Sequence, residues 1–193
     1  MEMYIPGRIL GILWTTASWS STENIIILTN CTKDILVEVS NFLIECKINY
    51  TIYRASPEKK RPDYEYDYYR MKISNQKFIE LLREQYKWRG QREGKRYYPA
   101  IETEQQEIEF LKYYIADQGT LDKMKVSWGK GWIYRYRIYC SRDFIDQLNS
   151  RISAILGVKE NKPQNHSQSD STKILYYQSQ KDVNIILDFI NQS

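Results

Sequence analysis

Two spacings of apolar residues alternate along this chain. NIIILTNC (24–31) is a nearly unbroken β-branched run, whereas TKDILVEVSNFLIECKI (32–48) sets Ile35, Leu36, Val39, Phe42, Leu43 and Cys46 at helical intervals. The first pattern predicts a strand and the second a helix with Thr32 as its N-cap. YIPGRILGILW (4–14) has the spacing of a short helix, and NYTIYRA with YDYYRMKIS predicts a hairpin around the turn-rich SPEKKRPDYE (56–65). NQKFIELLREQYKW (75–88) then predicts a helix with Phe78, Leu81, Leu82 and Gln85 on one stripe.

RGQREGKRYYP (89–99) interrupts the series with two glycines, a proline and clustered bases, the marks of a linker. Beyond it the order restarts. ETEQQEIEFLKYYIA (102–116) predicts a helix whose acidic first turns suit the helix dipole. TLDKMKVSW and WIYRYRIYC flank GKG as a strand pair. SRDFIDQLNSRISAIL (141–156) predicts a helix, NKPQNHSQSDS (161–171) a loop, KILYYQS (173–179) a strand and QKDVNIILDFI (180–190) a closing helix.

The chain thus reads as a duplicated αββαββα unit, with one repeat over 1–90, a linker over 91–100 and a second repeat over 101–193. Residue identities support the duplication. NCTKDILVEVSNFL (30–43) matches YCSRDFIDQLNSRI (139–152) at an offset of 109, and SNQKFIELL matches SQKDVNIIL at an offset near 105.

Composition narrows the classes. With 193 residues, 42 % of them apolar and 14 % aromatic, the chain can fill the core of one larger domain or two small fused units. No apolar run near the start approaches the roughly 20 residues a bilayer needs, and MEMYIPGRIL lacks the order of an export signal. The expected setting is intracellular (cytoplasm, nucleoid or an organelle), away from membranes. Cys31, Cys46 and Cys140 have no CxxC spacing, which fits reduced thiols rather than a zinc site. The one histidine, His166, lies in a polar loop without sequence partners, so a solvated side chain is the plain reading and a His-based nucleophilic site the remote one. Neither GxGxxG nor GxxxxGK[ST] occurs, which removes phosphate-loop nucleotide hydrolysis.

The doubled order of elements resembles the single-chain LAGLIDADG homing endonucleases. RILGILWTTASW (Arg8 to Trp19) is similar to the first motif, with Gly11 at the helix-packing glycine and Ala17-Ser18 in place of Gly-Ser. FLKYYIADQGTL (Phe110 to Leu121) is similar to the second, with Gly119-Thr120-Leu121 in place of Gly-Ser-Ile. The resemblance implies an α+β fold of two pseudo-symmetric repeats, their antiparallel sheets forming a concave saddle over DNA. It also implies that the motif helices pack side by side, their last acidic residues holding divalent metal over the scissile phosphates. Such chemistry needs carboxylates, because Mg²⁺ prefers hard anionic oxygen and must polarise phosphate and water.

At those positions this chain departs from the family. Thr16 stands at the first acidic position and Gln118 at the second, with Asp117 one residue early. One residue on a helix turns a side chain by about 100°, so Asp117 is a poor substitute. No catalytic residue and no metal site is therefore assigned; Mg²⁺ enters only if a nuclease using Asp117, Glu23 or another nearby acid is at work. The plainer alternative takes both segments as packing helices of an α/β protein without nuclease ancestry.

Charge points to nucleic acid. The balance of 28 Lys+Arg against 24 Asp+Glu is only +4, yet 123–142 holds six bases and no acid, while 102–122 holds six acids and Lys112 as the lone base. Strand alternation sets Lys123, Lys125 and Ser127 against Met124, Val126 and Trp128, and Arg135, Arg137 and Tyr139 against Tyr134, Tyr136 and Ile138. In the first repeat Tyr66, Tyr68, Arg70 and Lys72 share a face. Each sheet is expected to turn one apolar face to helices and one Arg/Lys/Tyr face outward, suited to a major groove. Arg54 and the basic loop residues Lys59 and Lys60 are placed to grip phosphates. The candidate interface is Arg54, Lys59, Lys60, Arg70, Lys72, Lys123, Lys125, Arg135, Arg137 and Tyr139.

The expected function is binding of duplex DNA without cleavage, as a regulator or as an accessory subunit of a DNA-processing complex. Three readings stand beside it: an RNA-binding, maturase-type splicing factor, a metal-dependent nuclease with displaced acids, and a protein–protein adaptor whose Tyr-rich sheets bind other subunits.

Overall fold

A computed structural model describes residues 3–20, 22–54, 69–89, 97–125 and 131–192. Among them run α1 (Gly7–Thr16), β1 (Ala17–Ser20), β2 (Ile25–Cys31), α2 (Lys33–Glu45), β3 (Tyr50–Arg54), β4 (Tyr69–Ile73) and α3 (Gln76–Glu84). Then come α4 (Glu104–Gln118), β5 (Gly119–Lys125), β6 (Trp132–Ser141), α5 (Ile145–Leu156), β7 (Gln164–His166), β8 (Ser169–Tyr177) and α6 (Gln180–Asn191). The strands make two antiparallel sheets ordered β1-β2-β4-β3 and β5-β6-β8-β7, the same topology twice.

Local chemistry sets most of the boundaries. Thr32, Asn75, Thr103 and Ser179 each accept a backbone N–H of the first turn they cap, relieving one of the helix's unpaired donors. Pro6 precedes α1, so that helix starts at Gly7, three residues later than the apolar spacing implies. Gly157 ends α5 in the left-handed conformation (φ 68°), which glycine adopts without Cβ strain. Both α1 and α4 pass directly into strands: Ala17 and Gly119 are already extended.

Two elements differ from the sequence expectation. The segment after α1 is a strand, β1, paired to β2 from Ala17↔Leu28 to Ser20↔Ile25. The expected loop at 161–171 is largely a hairpin, with β7 pairing to β8 through Gln164↔Ile174 and Asn165↔Lys173. Both additions complete the αββαββα order.

The core follows the two central helices. α1 is buried almost all round, from Gly7 through Thr15, save Arg8, as expected of a helix enclosed by other elements. It packs on α4 through glycine: a Cβ built on Gly11 would lie 2.9 Å from the Cβ of Tyr113. Trp14 meets Phe110 edge-on at 6.1 Å and donates Nε1–H to the Tyr97 carbonyl at 2.9 Å. Phe110 and Tyr114 continue this aromatic cluster to Tyr98 and Phe144. Helices α2 and α3 cover Leu28, Met71 and Ile73 of the first sheet, and α4, α5 and α6 cover Ile138, Leu175 and Tyr177 of the second. Among the described residues no helix is long and apolar enough to cross a membrane.

Candidate nucleic-acid interface

Thr16 and Gln118 are the last residues of α1 and α4, the equivalent ends that the motif alignment assigns them. Thr16 Oγ1 is turned back on its own helix, donating to the Ile12 carbonyl at 2.7 Å, and Gln118 Nε2 donates to Asp117 Oδ2 at 2.7 Å. Asp117 is exposed, and Glu23 lies exposed in the β1–β2 turn. A divalent cation pair at these ends would need several anionic oxygens. The donor set does not fit one: a hydroxyl, an amide and a single carboxylate are present, and no cluster of three His, Cys, Asp or Glu occurs among the described residues.

The second sheet presents a different chemistry. In an antiparallel pair, residues directly opposite share a face. The pairs Thr120↔Arg137, Asp122↔Arg135 and Met124↔Ile133 therefore lie together, and Arg137↔Tyr176 and Tyr139↔Ile174 extend that outer face across β8. Arg135 donates Nε and Nη2 to the Asp122 carboxylate at 3.0 and 2.8 Å, and Arg137 Nη2 reaches the same carboxylate at 2.9 Å. The Arg135 hydrogen bond, helped by both arginine charges, holds the Asp122 carboxyl below its ordinary range; the reciprocal bond raises Arg135. Arg135 also lies over the Tyr176 ring at 4.9 Å and Arg137 over Tyr139 at 5.7 Å, while the Arg137 Nε is buried without a hydrogen-bond partner. The result is a pair of guanidiniums fixed by one carboxylate and two rings.

The outer face of the first sheet carries Ser18, Ile27, Thr51, Tyr53, Arg70 and Lys72, through the pairs Ser18↔Ile27, Ile27↔Lys72, Thr51↔Lys72 and Tyr53↔Arg70. Lys72 Nζ stands 5.7 Å from the Tyr53 ring centre. Each sheet thus turns two cations and at least one tyrosine outward, as the alternation of its strands implies.

Register changes part of the expected grouping. Lys123 and Lys125 pair with Tyr134 and Trp132, on the opposite side of the ribbon from Arg135 and Arg137, because Asp122 rather than Lys123 is opposite Arg135. Met124, expected on the helix side, lies on the arginine face. Arg54 pairs with Tyr69 and shares its side with Ile52 and Met71, not with Arg70 and Lys72. The basic run is also less free of acid than it reads, since Asp122, counted with the acids of the preceding helix, sits on β5 beside both arginines. Lys59, Lys60, Tyr66, Tyr68, Val126, Ser127, Trp128 and most of the 89–99 linker lie outside the described residues.

His166 is half-buried in β7, its ring 5.8 Å from Tyr139 and its Nδ1 accepting the Gln168 N–H, so it is packed into the sheet rather than simply solvated. Tyr176 and Asp122, which with Tyr139 orient the arginines, do not show when strands are read singly; the cross-strand register alone brings them in.

No protein-family model matches the chain, and no curated protein sequence matches it. Solved structures do. The chain superposes on I-DmoI in complex with DNA and Mn with a TM-score of 0.60 and 12 % identity, over 97 % of this chain and 96 % of that one. I-SmaMI bound to cleaved DNA gives 0.54 and 10 %, over 94 % and 80 %. Full-length DUF199/WhiA from Thermatoga maritima gives 0.56 and 11 %, over 97 % of this chain and 55 % of that chain, so this chain spans about half of WhiA. The six helices and two four-stranded antiparallel sheets of the described residues, in this order, are the fold of the LAGLIDADG homing endonucleases.

Proposed function

We propose that this protein binds duplex DNA across the outer faces of its two sheets and does not cut it, serving as a regulator or as an accessory subunit of a DNA-processing complex. The observation that carries the reading is the pair of cationic faces, Arg70 and Lys72 on one sheet and Arg135 and Arg137 on the other, in a fold shared with DNA-bound I-DmoI and I-SmaMI. Fixed guanidiniums suit guanine edges, whose O6 and N7 accept in parallel, while Lys72 suits phosphate. We take 1–90 and 101–193 as two copies of one ancestral unit joined at 91–100, which would place the two faces on successive stretches of one duplex.

The helix ends support the absence of cleavage. Thr16 and Gln118 spend their polar groups on their own helices, which leaves Asp117 as the lone carboxylate there. A gel-shift titration on duplex DNA from low to physiological salt tests the reading. Binding at low salt that weakens steeply as salt rises is the expected result, because each phosphate contact releases counterion. No binding at low salt overturns it.

A further inference from the structure

The helix-side face of the β5–β6 ribbon runs past the end of its helix cover. Tyr136 and Ile138 on that face are buried, but Tyr134 is 43 % exposed, Trp132 64 % and Leu121 42 %. The cross-strand pairs there are Lys123↔Tyr134 and Lys125↔Trp132, with both lysines exposed and Lys123 Nζ 5.1 Å from the Tyr134 ring centre. Neither strand contributes an acid to this face. Exposed tryptophan beside tyrosine is costly surface for a protein to leave to water, and two neighbouring lysines argue against a simple apolar partner.

We propose that this face binds an unpaired strand of DNA, the rings stacking bases and the lysines pairing with phosphates. Each Lys–aromatic pair offers what one nucleotide needs, a cation for its backbone and a π-face for its base. The two pairs recur two residues apart, about 6.8 Å along a strand, which is twice the ~3.4 Å rise of stacked bases. Stacking is tolerant of sequence, so the surface would take any unpaired stretch. It lies on the opposite side of the same ribbon from Arg135 and Arg137, so duplex on one face and an opened strand on the other is the arrangement of a junction or a partly melted site. The inference goes beyond the duplex reading and does not depend on it.

The test is fluorescence anisotropy of the full chain with a labelled oligo-dT and, separately, a labelled duplex. The Trp132→Ala, Tyr134→Ala double variant should lose at least about tenfold in affinity for oligo-dT while its duplex affinity stays within about twofold. Arg135→Ala, Arg137→Ala should do the reverse. Because Trp132 and Tyr134 are exposed, the aromatic double variant should keep the wild-type circular dichroism spectrum. Wild-type protein that does not bind oligo-dT, an aromatic double variant that binds it unchanged, or tighter binding of an oligo-U RNA of the same length overturns the proposal. Failure of duplex binding with oligo-dT binding intact would sink the function proposed above and leave this surface standing.

Discussion

Gly7 is pressed against the backbone of Gln106: a Cβ added to Gly7 would lie 1.9 Å from the Gln106 carbonyl oxygen. This is the start of the α1–α4 seam, and the Gln106 side chain closes it from the other direction, donating Nε2–H to the Ile5 carbonyl at 2.6 Å. Gly11, one turn later, faces Tyr113.

The two glycines should respond differently to alanine. At Gly7 the obstacle is backbone, so the helices must separate; Gly7→Ala is expected to cost about 3 kcal/mol net of the gain in helix propensity. At Gly11 the nearest atom is the Tyr113 Cβ at 2.9 Å, which moves only with its own backbone, but the overlap is far smaller than at Gly7, and the cost should be about 2 kcal/mol. Urea unfolding of both variants checks the ranking, and equal losses would contradict it.

How much of this is legible in the sequence depends on whether a feature lives within one element or between two. Thr32 as a cap and the stripe of α2 are local, and they hold. The resemblance places Gly11, while Gly7 carries no sign of its role until α4 is packed against it. β1 is four residues following a helix without a turn, and β7 is a polar three-residue edge strand; neither shows the apolar alternation that marks a strand. The largest miss is register. Alternation within β5 and within β6 is visible in the sequence, but one residue of offset decides whether Lys123 or Asp122 faces Arg135, and alternation within a strand does not fix that offset.

Asp122 therefore has a predictable influence on binding. It cancels part of the arginine charge while fixing both guanidiniums, whose side chains keep 20 % and 24 % of their exposure. Asp122→Asn should raise affinity for random duplex and steepen its salt dependence by about one unit of log–log slope, because one more cation is free to displace counterions. Arg135→Ala should shift both quantities the other way. Anisotropy titrations at several salt concentrations read both, and a flatter slope in Asp122→Asn would refute the assignment.

Glu107 gives a pH-dependent prediction. Burial alone would push its carboxyl up, but hydrogen bonds from Arg151 and Tyr98 and the Arg151 charge hold it below its ordinary value of 4.5. A carboxyl depressed in the folded state contributes stability that is present above the unfolded value and lost as pH falls through the folded one, so this contribution should disappear below about pH 4.5. Arg151 donates Nε–H to Glu107 Oε1 at 2.6 Å, yet its side chain is 47 % exposed, which screens the pair. Arg151→Met is accordingly expected to cost about 1–2 kcal/mol at pH 7, less than a fully buried pair would. With the arginine gone, burial raises the carboxyl, and protonation relieves the unpaired charge. The gap between wild type and variant should narrow as pH drops from 7 to 4, measured by urea unfolding at each pH; a gap that widens on acidification would contradict the assignment.

The ends of α1 and α4 make a prediction about metal. If Thr16 and Gln118 have replaced the acids that would hold it, Mg²⁺ or Mn²⁺ has no tight site on the folded chain, so neither ion stabilises the native state by mass action. At 10 mM, on the order of many times a working metal constant, either ion should shift the melting temperature by less than about 1 °C. Supercoiled plasmid should stay intact with either ion. Asp117→Asn should leave duplex affinity within about twofold, since its carboxylate is occupied by the Gln118 amide and is not part of the cationic faces. Metal-dependent nicking that Asp117→Asn abolishes would reverse this picture, because it would show that one carboxylate beside Gln118 suffices to hold the ion over phosphate. Nicking that survives Asp117→Asn would point instead to Glu23, exposed in the β1–β2 turn, and Glu23→Gln would then decide.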